Sequence, residues 1–340
     1  MSAINRACAP PAQNEFAGAS RTLITGAAGF VGGHLTDRLL ALGHEVLAVD
    51  NLVTGRREHV PPGVRFEEID LGSSEEEDVI EVIRGFRPAY VVHLAAVHHI
   101  PYCLVHPRET FDSNVRSSEV VIRALEGLPR CRVIAASSAD VYCVADHPHT
   151  ETEAPAPPDT YGLSKQLMEA IVEYGCRTNH NLSGVVLRFF NIYGPRETNP
   201  HFIPRALELI HMRELREIRM GYLSGTRDFV HVFDVVEAIL ASMFYSGARF
   251  SIFNVGTGTP ISIRTVLQML MDSAGDDRPV VEDRERFRSF DRKSLTASVE
   301  KITSTIGWRP SICLPVGLAS LVSEKILINP ISRPQISIHL

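Results

Sequence analysis

The chain has 340 residues, 44% hydrophobic and 22% charged, with a formal net charge of −6. This is the balance of a globular protein long enough to bury a core in two lobes, and it excludes the basic footprint of a nucleic-acid binder. The cysteines Cys8, Cys103, Cys131, Cys143, Cys176 and Cys313 form no C-x-x-C pair, which argues against a zinc ribbon or a disulfide framework and fits a reducing cytoplasm.

Residues 1–20 are small, polar and proline-containing. They read as a disordered arm rather than a secretory signal. No run of about 18 apolar residues occurs, so no membrane span is expected. Order is expected from Arg21. RTLIT (Arg21–Thr25) reads as a buried strand, followed by a glycine-rich turn and a helix from Phe30 to Leu42, with Gly43 as its stop. His44–Asp50 and Val64–Asp70 read as the second and third strands. Ser73–Phe86 reads as a helix with Ser73 as N-cap and acids in its first turn. Ala89–Ala96 and Cys131–Ser138 are the fourth and fifth strands, joined by a helix over Phe111–Leu128. Tyr161–Arg177 is a further helix and Leu182–Phe190 a further strand.

Strands alternating with helices predict an α/β fold with a doubly wound parallel sheet. After Gly194 the pattern weakens into loops and short elements around Pro195, Pro200 and Pro204. The lobe boundary is placed near Arg188. One domain covers 21–187 and is completed by a return segment at 228–258. A smaller α/β substrate lobe combines 188–227 and 259–325, and the tail at 326–340 has no assigned order.

Three patterns carry chemistry. In TGAAGFVGG, Gly26, Gly29 and Gly32 follow a strand and open a helix. Glycines there let the backbone approach a pyrophosphate seated on the helix N-terminus, although tight strand–helix turns also use them. Asp50 ends the second strand, 18 residues after Gly32. An acid at that place accepts ribose hydroxyls and repels a 2′-phosphate, which favours NAD over NADP. Arg56 and Arg57 are the competing feature, since arginines greet a 2′-phosphate. Asp70-Leu71 is a candidate adenine contact or an ordinary turn. In YGLSK, Tyr161 and Lys165 share a helix face. A phenol is a poor base at neutral pH, but a nearby ammonium pulls its pKa down and makes it a proton acceptor for an alcohol. Ser138 ends the fifth strand, 23 residues before Tyr161, on the edge that faces the ligand crevice.

Together these residues resemble the extended short-chain dehydrogenase/reductases, within them the NAD-dependent nucleotide-sugar epimerase/dehydratase group. The resemblance runs from Arg21 to Leu321 through TGAAGFVG, VDNLVTG, IDL, HLAA, SSADVY, YGLSK, RFFNIYGPR, RDFVHVFDV, FNVGTG and IGWRP, in that order. It implies a Rossmann-type sheet binding NAD, a nucleotide-sugar substrate and a homodimer. By position it implies that Gly26, Gly29, Phe30, Val31 and Gly32 form the pyrophosphate turn. Asp50 and Asn51 would hold the adenosine ribose, and Asp70 and Leu71 would flank adenine. Leu94, Ala95, Ala96, His98 and Asn114 would line the dinucleotide. Tyr161 would be the base, Lys165 the ribose clamp and Ser138 their partner. Asn191, Arg227, Arg288 and Asp291 would hold the sugar nucleotide, with His99 and Leu295 beside the sugar.

Departures from the family pattern narrow the reaction. His98-His99-Ile100-Pro101 stands where many relatives have small residues. A metal reading of His98, His99 and His106 has no known ligand spacing behind it. Related dehydratases carry Asp-Glu after the catalytic hydroxyl, whereas this chain has Ala139-Asp140. Leu295 stands where a bulky tyrosine can restrict the sugar, and so leaves room for a larger substituent. The expected activity is epimerisation of a UDP-sugar at carbon 4. Its rivals are a dehydratase or decarboxylase beginning with the same oxidation, a reductase with exchangeable cofactor, and a non-catalytic nucleotide-sensing module.

Overall fold

The structure, a computed structural model, describes residues 20–197, 199–284 and 292–323. The expected arm, apart from Ser20, and the tail at 326–340 lie outside these residues. In chain order the strands are β1 (Arg21–Thr25), β2 (Glu45–Asp50), β3 (Arg65–Glu68), β4 (Tyr90–His93), β5 (Cys131–Ser138), β6 (Leu182–Phe189), β7 (Asn191–Tyr193), β8 (Ile218–Met220), β9 (Thr226–His231), β10 (Phe250–Val255), β11 (Pro260–Ser262), β12 (Val280–Glu282) and β13 (Ser294–Leu295). The helices are α1 (Phe30–Ala41), α2 (Glu76–Phe86), α3 (Ile100–Val105), α4 (Pro107–Phe111), α5 (Ser117–Ala124), α6 (Thr160–Thr178), α7 (Phe202–His211), α8 (Val232–Met243), α9 (Ile263–Ala274), α10 (Glu300–Ile306) and α11 (Leu314–Ser323). Among the described residues no helix is long and apolar enough to cross a membrane.

Seven strands form one parallel sheet in the order β10-β6-β5-β4-β1-β2-β3. Its central strands are apolar on both faces, as a covered parallel sheet requires. Side chains alternate between two buried clusters, following the period of two along a strand. Ile24, Ala48, Val92, Ile134 and Val185 point to one cluster, shared with Leu35 of α1 and Val235 and Ile239 of α8. Leu23, Leu47, Val91, Val133 and Val186 point to the other, shared with Ile83 of α2, Val121 of α5 and Val172 of α6. The strand order reverses between β1 and β4, and the crevice at such a switch point is where an open α/β sheet takes its ligand.

A second, smaller sheet is organised around β9. It pairs antiparallel with β11 and parallel with β7 and β13, while β8 and β12 form a separate pair. A third apolar cluster joins Ile203 and Leu207 of α7, Leu267 and Leu270 of α9 and Leu318 of α11.

Several boundaries differ from the sequence reading. Where loops and short elements are expected around Pro195, Pro200 and Pro204, helix α7 forms and includes Pro204. That proline lies in the first helical turn, where a missing N–H loses no bond. Helix α9 carries its own end signals: Ser262 accepts the Thr265 N–H at 3.0 Å, and Gly275 closes the helix at φ +60°. Ser73 is not a cap. The Asp70 carbonyl takes the Ser73 and Ser74 N–H groups into a turn, and α2 begins only at Glu76. The helix expected over Phe111–Leu128 is broken by a π turn at Asp112–Arg116 before α5.

Candidate active site

The turn after β1 is built by backbone packed on backbone. Gly26 has φ +70°, and a β-carbon there would stand 2.8 Å from the Ala95 nitrogen. A β-carbon on Gly32 would overlap the Gly26 carbonyl oxygen. Gly29 is the N-cap of α1 with no side-chain cap, Phe30 and Val31 begin the helix, and its first turn holds no acid. This leaves an electropositive helix end open to an anion. The residues present therefore fit a dinucleotide pyrophosphate.

Asp50 is buried at the end of β2. Its carboxylate accepts the Ala28 N–H at 2.9 Å and the Leu52 N–H at 2.8 Å. Burial raises its pKa, and those two N–H groups oppose the rise. Asn51 Nδ2 donates to Asp70 Oδ2 at 3.2 Å, so an expected ribose contact and an expected adenine contact meet in one network. Leu71 is buried beside them. Arg57 lies over the Phe66 ring at 4.5 Å and donates to the Val60 carbonyl, while Arg56 sits 3.9 Å from Glu58.

At the switch point, Thr25 Oγ1 is 2.8 Å from His93 Nδ1 and takes the Ala95 N–H at 3.3 Å, while the Leu94 N–H donates to the Thr25 carbonyl. Ala96 leads into the His98 segment. Asn114 clamps that segment from the π turn. Its Oδ1 accepts the Val97 N–H at 2.7 Å, and its Nδ2 donates to the Val97 carbonyl and to Ser164 Oγ of α6. Asn114 is thus a strut between this segment and the YGLSK helix. From Ile100 the stretch that follows His98 and His99 is helix α3. His99 is the residue before that helix, and its carbonyl accepts the Cys103 N–H. His98 keeps some accessible surface yet is closely surrounded, and burial followed by its neighbour His201 pushes its pKa down to about 3. The two rings are 5.5 Å apart, and His201 bonds Glu197 at 2.6 Å. Sequence reading did not find His201 or Glu197.

Tyr161 lies in the first turn of α6, whose N-cap Asp159 accepts the Gly162 N–H at 2.8 Å. The phenol is buried, and the Ser138 hydroxyl acts on it in favour of its ionised form. Burial, then Asp140, raise its pKa, against the lowering expected from Lys165. The difference has a geometric cause. Lys165 Nζ donates to the Ala136 carbonyl at 2.8 Å and is held in the interior, where burial lowers its pKa to about 8. Ser137, the neighbouring hydroxyl, turns away to Glu169, which forms a two-pronged ion pair with Arg188 of β6 at 2.9 and 2.7 Å.

Opposite these groups stand residues of the β9 sheet. Arg227 donates to the Thr226 and Arg292 carbonyls, each at 2.8 Å. Asn191 lies in β7 with its side-chain oxygen buried and unpartnered. Leu295 pairs in register with Arg227 and packs with Ala139, Val141, Tyr142 and Phe190, so it belongs to a small core rather than to open space beside a sugar. Arg288 and Asp291 lie outside the described residues. Asp140 enters the sequence reading only as a departure from the dehydratase pattern, and Arg292 and Asp228 escaped it, although Asp228 stands inside RDF. Its buried carboxylate gathers the N–H groups of Thr257, Gly258 and Ala297.

His98, His99 and His106 form no candidate metal cluster, whereas His147, His149 and Glu153 do come together. His149 Nδ1 bonds Glu153 at 2.8 Å, and its Nε2 is buried without a partner. A metal on Nδ1 would force the proton onto that unpartnered nitrogen, contrary to the hydrogen-bonded second nitrogen of ordinary metal histidines.

Residues 22–256 match the family model described as the NAD dependent epimerase/dehydratase family. The chain belongs to that family. It is 30% identical over 311 residues to a UDP-glucose 4-epimerase of Streptococcus mutans, covering 85% of this chain and 91% of that protein. It superposes with a TM-score of 0.82 on UDP-glucose 4-epimerase with UDP-glucose from Thermotoga maritima, at 29% identity over 89% of this chain and 97% of that one. The corresponding enzyme of Thermus thermophilus, in complex with NAD, gives 0.81 at 31% identity, over 89% and 98%.

Proposed function

We propose that the chain interconverts a UDP-hexose and its carbon-4 epimer with NAD retained through turnover, UDP-glucose and UDP-galactose being the pair to test first. The observation that carries this reading is the gathering of Ser138 at the carboxyl end of β5 with buried Tyr161 and Lys165 of α6, whose ammonium is tied to the β5 carbonyl of Ala136. The relatedness to UDP-glucose 4-epimerases supports it.

Bound NAD⁺ supplies a hydride acceptor and later donor for carbon 4, together with a positive ring charge. Tyr161 takes the proton of the 4-hydroxyl and gives it back. Its high pKa in the chain alone means that the proton-accepting form needs cationic neighbours, and Lys165, mostly charged below its pKa of about 8, is one. Ser138 holds the sugar oxygen while its charge changes. Gly26, Gly29, Phe30, Val31 and Gly32 hold the pyrophosphate of the cofactor, and Asp50 and Asn51 its adenosine ribose. Asn191, Arg227 and Arg288 hold the diphosphate of the substrate, away from the reacting carbon. The oxidised sugar then turns while its nucleotide stays anchored. The main sheet with α8 forms the cofactor lobe, and the β9 sheet with α7, α9 and α11 forms the substrate lobe.

One observation favours an elimination instead: a carboxyl, Asp140, beside the reacting hydroxyls. Both of its oxygens are engaged, one toward Ser138 and one toward Arg292, which leaves no free base. We also propose a homodimer through α6, whose Leu163, Leu167 and Tyr174 are exposed.

Purified protein without added cofactor, given a panel of UDP-sugars in deuterated water, tests the reaction by proton NMR. Carbon-4 epimer free of deuterium is expected, and Tyr161→Phe should lose at least a hundredfold in rate, the usual contribution of a positioned base. Deuterium at carbon 5, or loss of water or carbon dioxide, would sink the epimerase reading.

A further inference from the structure

Asp140 and Arg292 meet beside the Ser138–Tyr161 pair. Asp140 lies in the short 3-10 turn Ala139–Val141 that follows β5. Its backbone N–H donates to Ser138 Oγ at 3.1 Å, and Ser138 Oγ faces its Oδ2 at 3.4 Å. Its Oδ1 is 3.3 Å from Arg292 Nη2. Arg292 is 5% exposed and also donates to the Tyr142 carbonyl at 3.1 Å and the Cys143 carbonyl at 3.3 Å. Its guanidinium is therefore a fixed charge, tied to backbone as well as to the carboxylate.

We propose that Asp140, clamped by Arg292, is a positioning residue that sets the direction of the Ser138–Tyr161 hydrogen bond and so governs how readily Tyr161 gives up its proton. The inference rests on the reading of Tyr161 as the proton acceptor. A serine hydroxyl has one proton to give. Directed at Asp140 Oδ2, it leaves Ser138 able only to accept from Tyr161, and the phenol stays protonated. With the carboxylate charge offset by Arg292 on Oδ1, the Ser138 O–H is held less firmly by Oδ2 and is free to turn and donate to a phenolate. Arg292 thus weakens the hold of Asp140 on the Ser138 hydroxyl.

The surrounding charges act in the same sense. Asp140 opposes ionisation of Tyr161, as do Cys103 of α3 and Asp159 at the start of α6, while the Ser138 hydroxyl favours it. Asp140 itself feels Arg292 and, from β9, Arg227, which favour its charged form against burial and Asp159.

Two readouts on the NAD-bound enzyme test this. One is the pH dependence of kcat/KM. The other is the tyrosinate absorbance titration of Tyr161, taken as wild type minus Tyr161→Phe. Asp140→Asn keeps the shape and removes the charge. The acid limb of kcat/KM and the Tyr161 titration should both move down by about one pH unit, a tenfold change in the phenolate fraction. Asp140→Glu, which keeps the charge, should leave both near their wild-type positions. If both stay in place in a folded Asp140→Asn protein, or move up, the proposal is overturned. Arg292→Gln guards against a misfolded first variant. It uncovers the carboxylate and should move the Tyr161 titration up, and no movement is again a refutation. If no UDP-sugar is converted, the epimerase reading fails while the absorbance titration still decides the role of Asp140.

Discussion

His93 shows how one buried residue makes stability depend on pH. Both ring nitrogens are engaged, Nδ1 with Thr25 Oγ1 at 2.8 Å and Nε2 with Ser118 Oγ at 3.0 Å. Burial lowers its pKa from the ordinary 6.5 to about 3, and the charge of Lys165 adds to this. The folded state therefore refuses a proton that the unfolded chain accepts. Its contribution is complete above 6.5 and is lost as pH falls from 6.5 toward 3, at about 1.4 kcal/mol per pH unit in that window. The melting temperature should fall across it, and His93→Asn should flatten that fall while lowering stability at neutral pH. An equally steep fall in His93→Asn would assign the acid sensitivity to other groups.

At the scale of elements, α6 is tied to β6 by the Arg188–Glu169 ion pair, with the Arg188 guanidinium also over the Tyr142 ring at 4.8 Å. Glu169→Gln leaves a 2%-exposed guanidinium without its counter-charge. It should destabilise the fold by about 3–5 kcal/mol in denaturant unfolding, the usual cost of breaking a buried pair from one side. A loss below about 1 kcal/mol would mean that water or a carbonyl replaces the carboxylate. The elements legible in the sequence share one property: their signals are local. The glycine turn, Asp50 at the end of β2, Ser138 at the end of β5 and the Tyr161–Lys165 spacing each declare themselves within a few residues of a strand or helix end. Asp140 and Arg292, 152 residues apart, do not, and neither do His98 and His201. Arg292 stands two residues before β13 and His201 caps α7, so each pair joins the crevice of the first sheet to a segment far along the chain. Asn114 was assigned to the cofactor from resemblance, and the structure gives all of its side-chain donors to Val97 and Ser164. Pro204 misled for the opposite reason: a local breaker signal lies where the helix start tolerates it.

For the whole molecule, the outward face of α6 provides a test of assembly. Leu163 and Leu167 are 41% and 40% exposed, one turn apart. Sedimentation velocity should find the mass of two chains, and Leu163→Glu should shift it to one, because a charge buried at an interface is costly. A wild-type monomer at micromolar concentration would dispose of the dimer. The route of the chain through its two sheets has a further consequence. Strand β10 is the edge partner of β6, yet the chain crosses into the β9 sheet and α7 and returns through α8 before it supplies Phe253 and Val255 to the main core. On the ribosome, β1 to β6 emerge well before the strand that covers them, leaving LSGVVLRF as an open, apolar edge. Such an edge is a template for pairing with another nascent chain until about 255 residues have cleared the exit tunnel. Truncation before β10 should therefore yield aggregates rather than a smaller soluble domain.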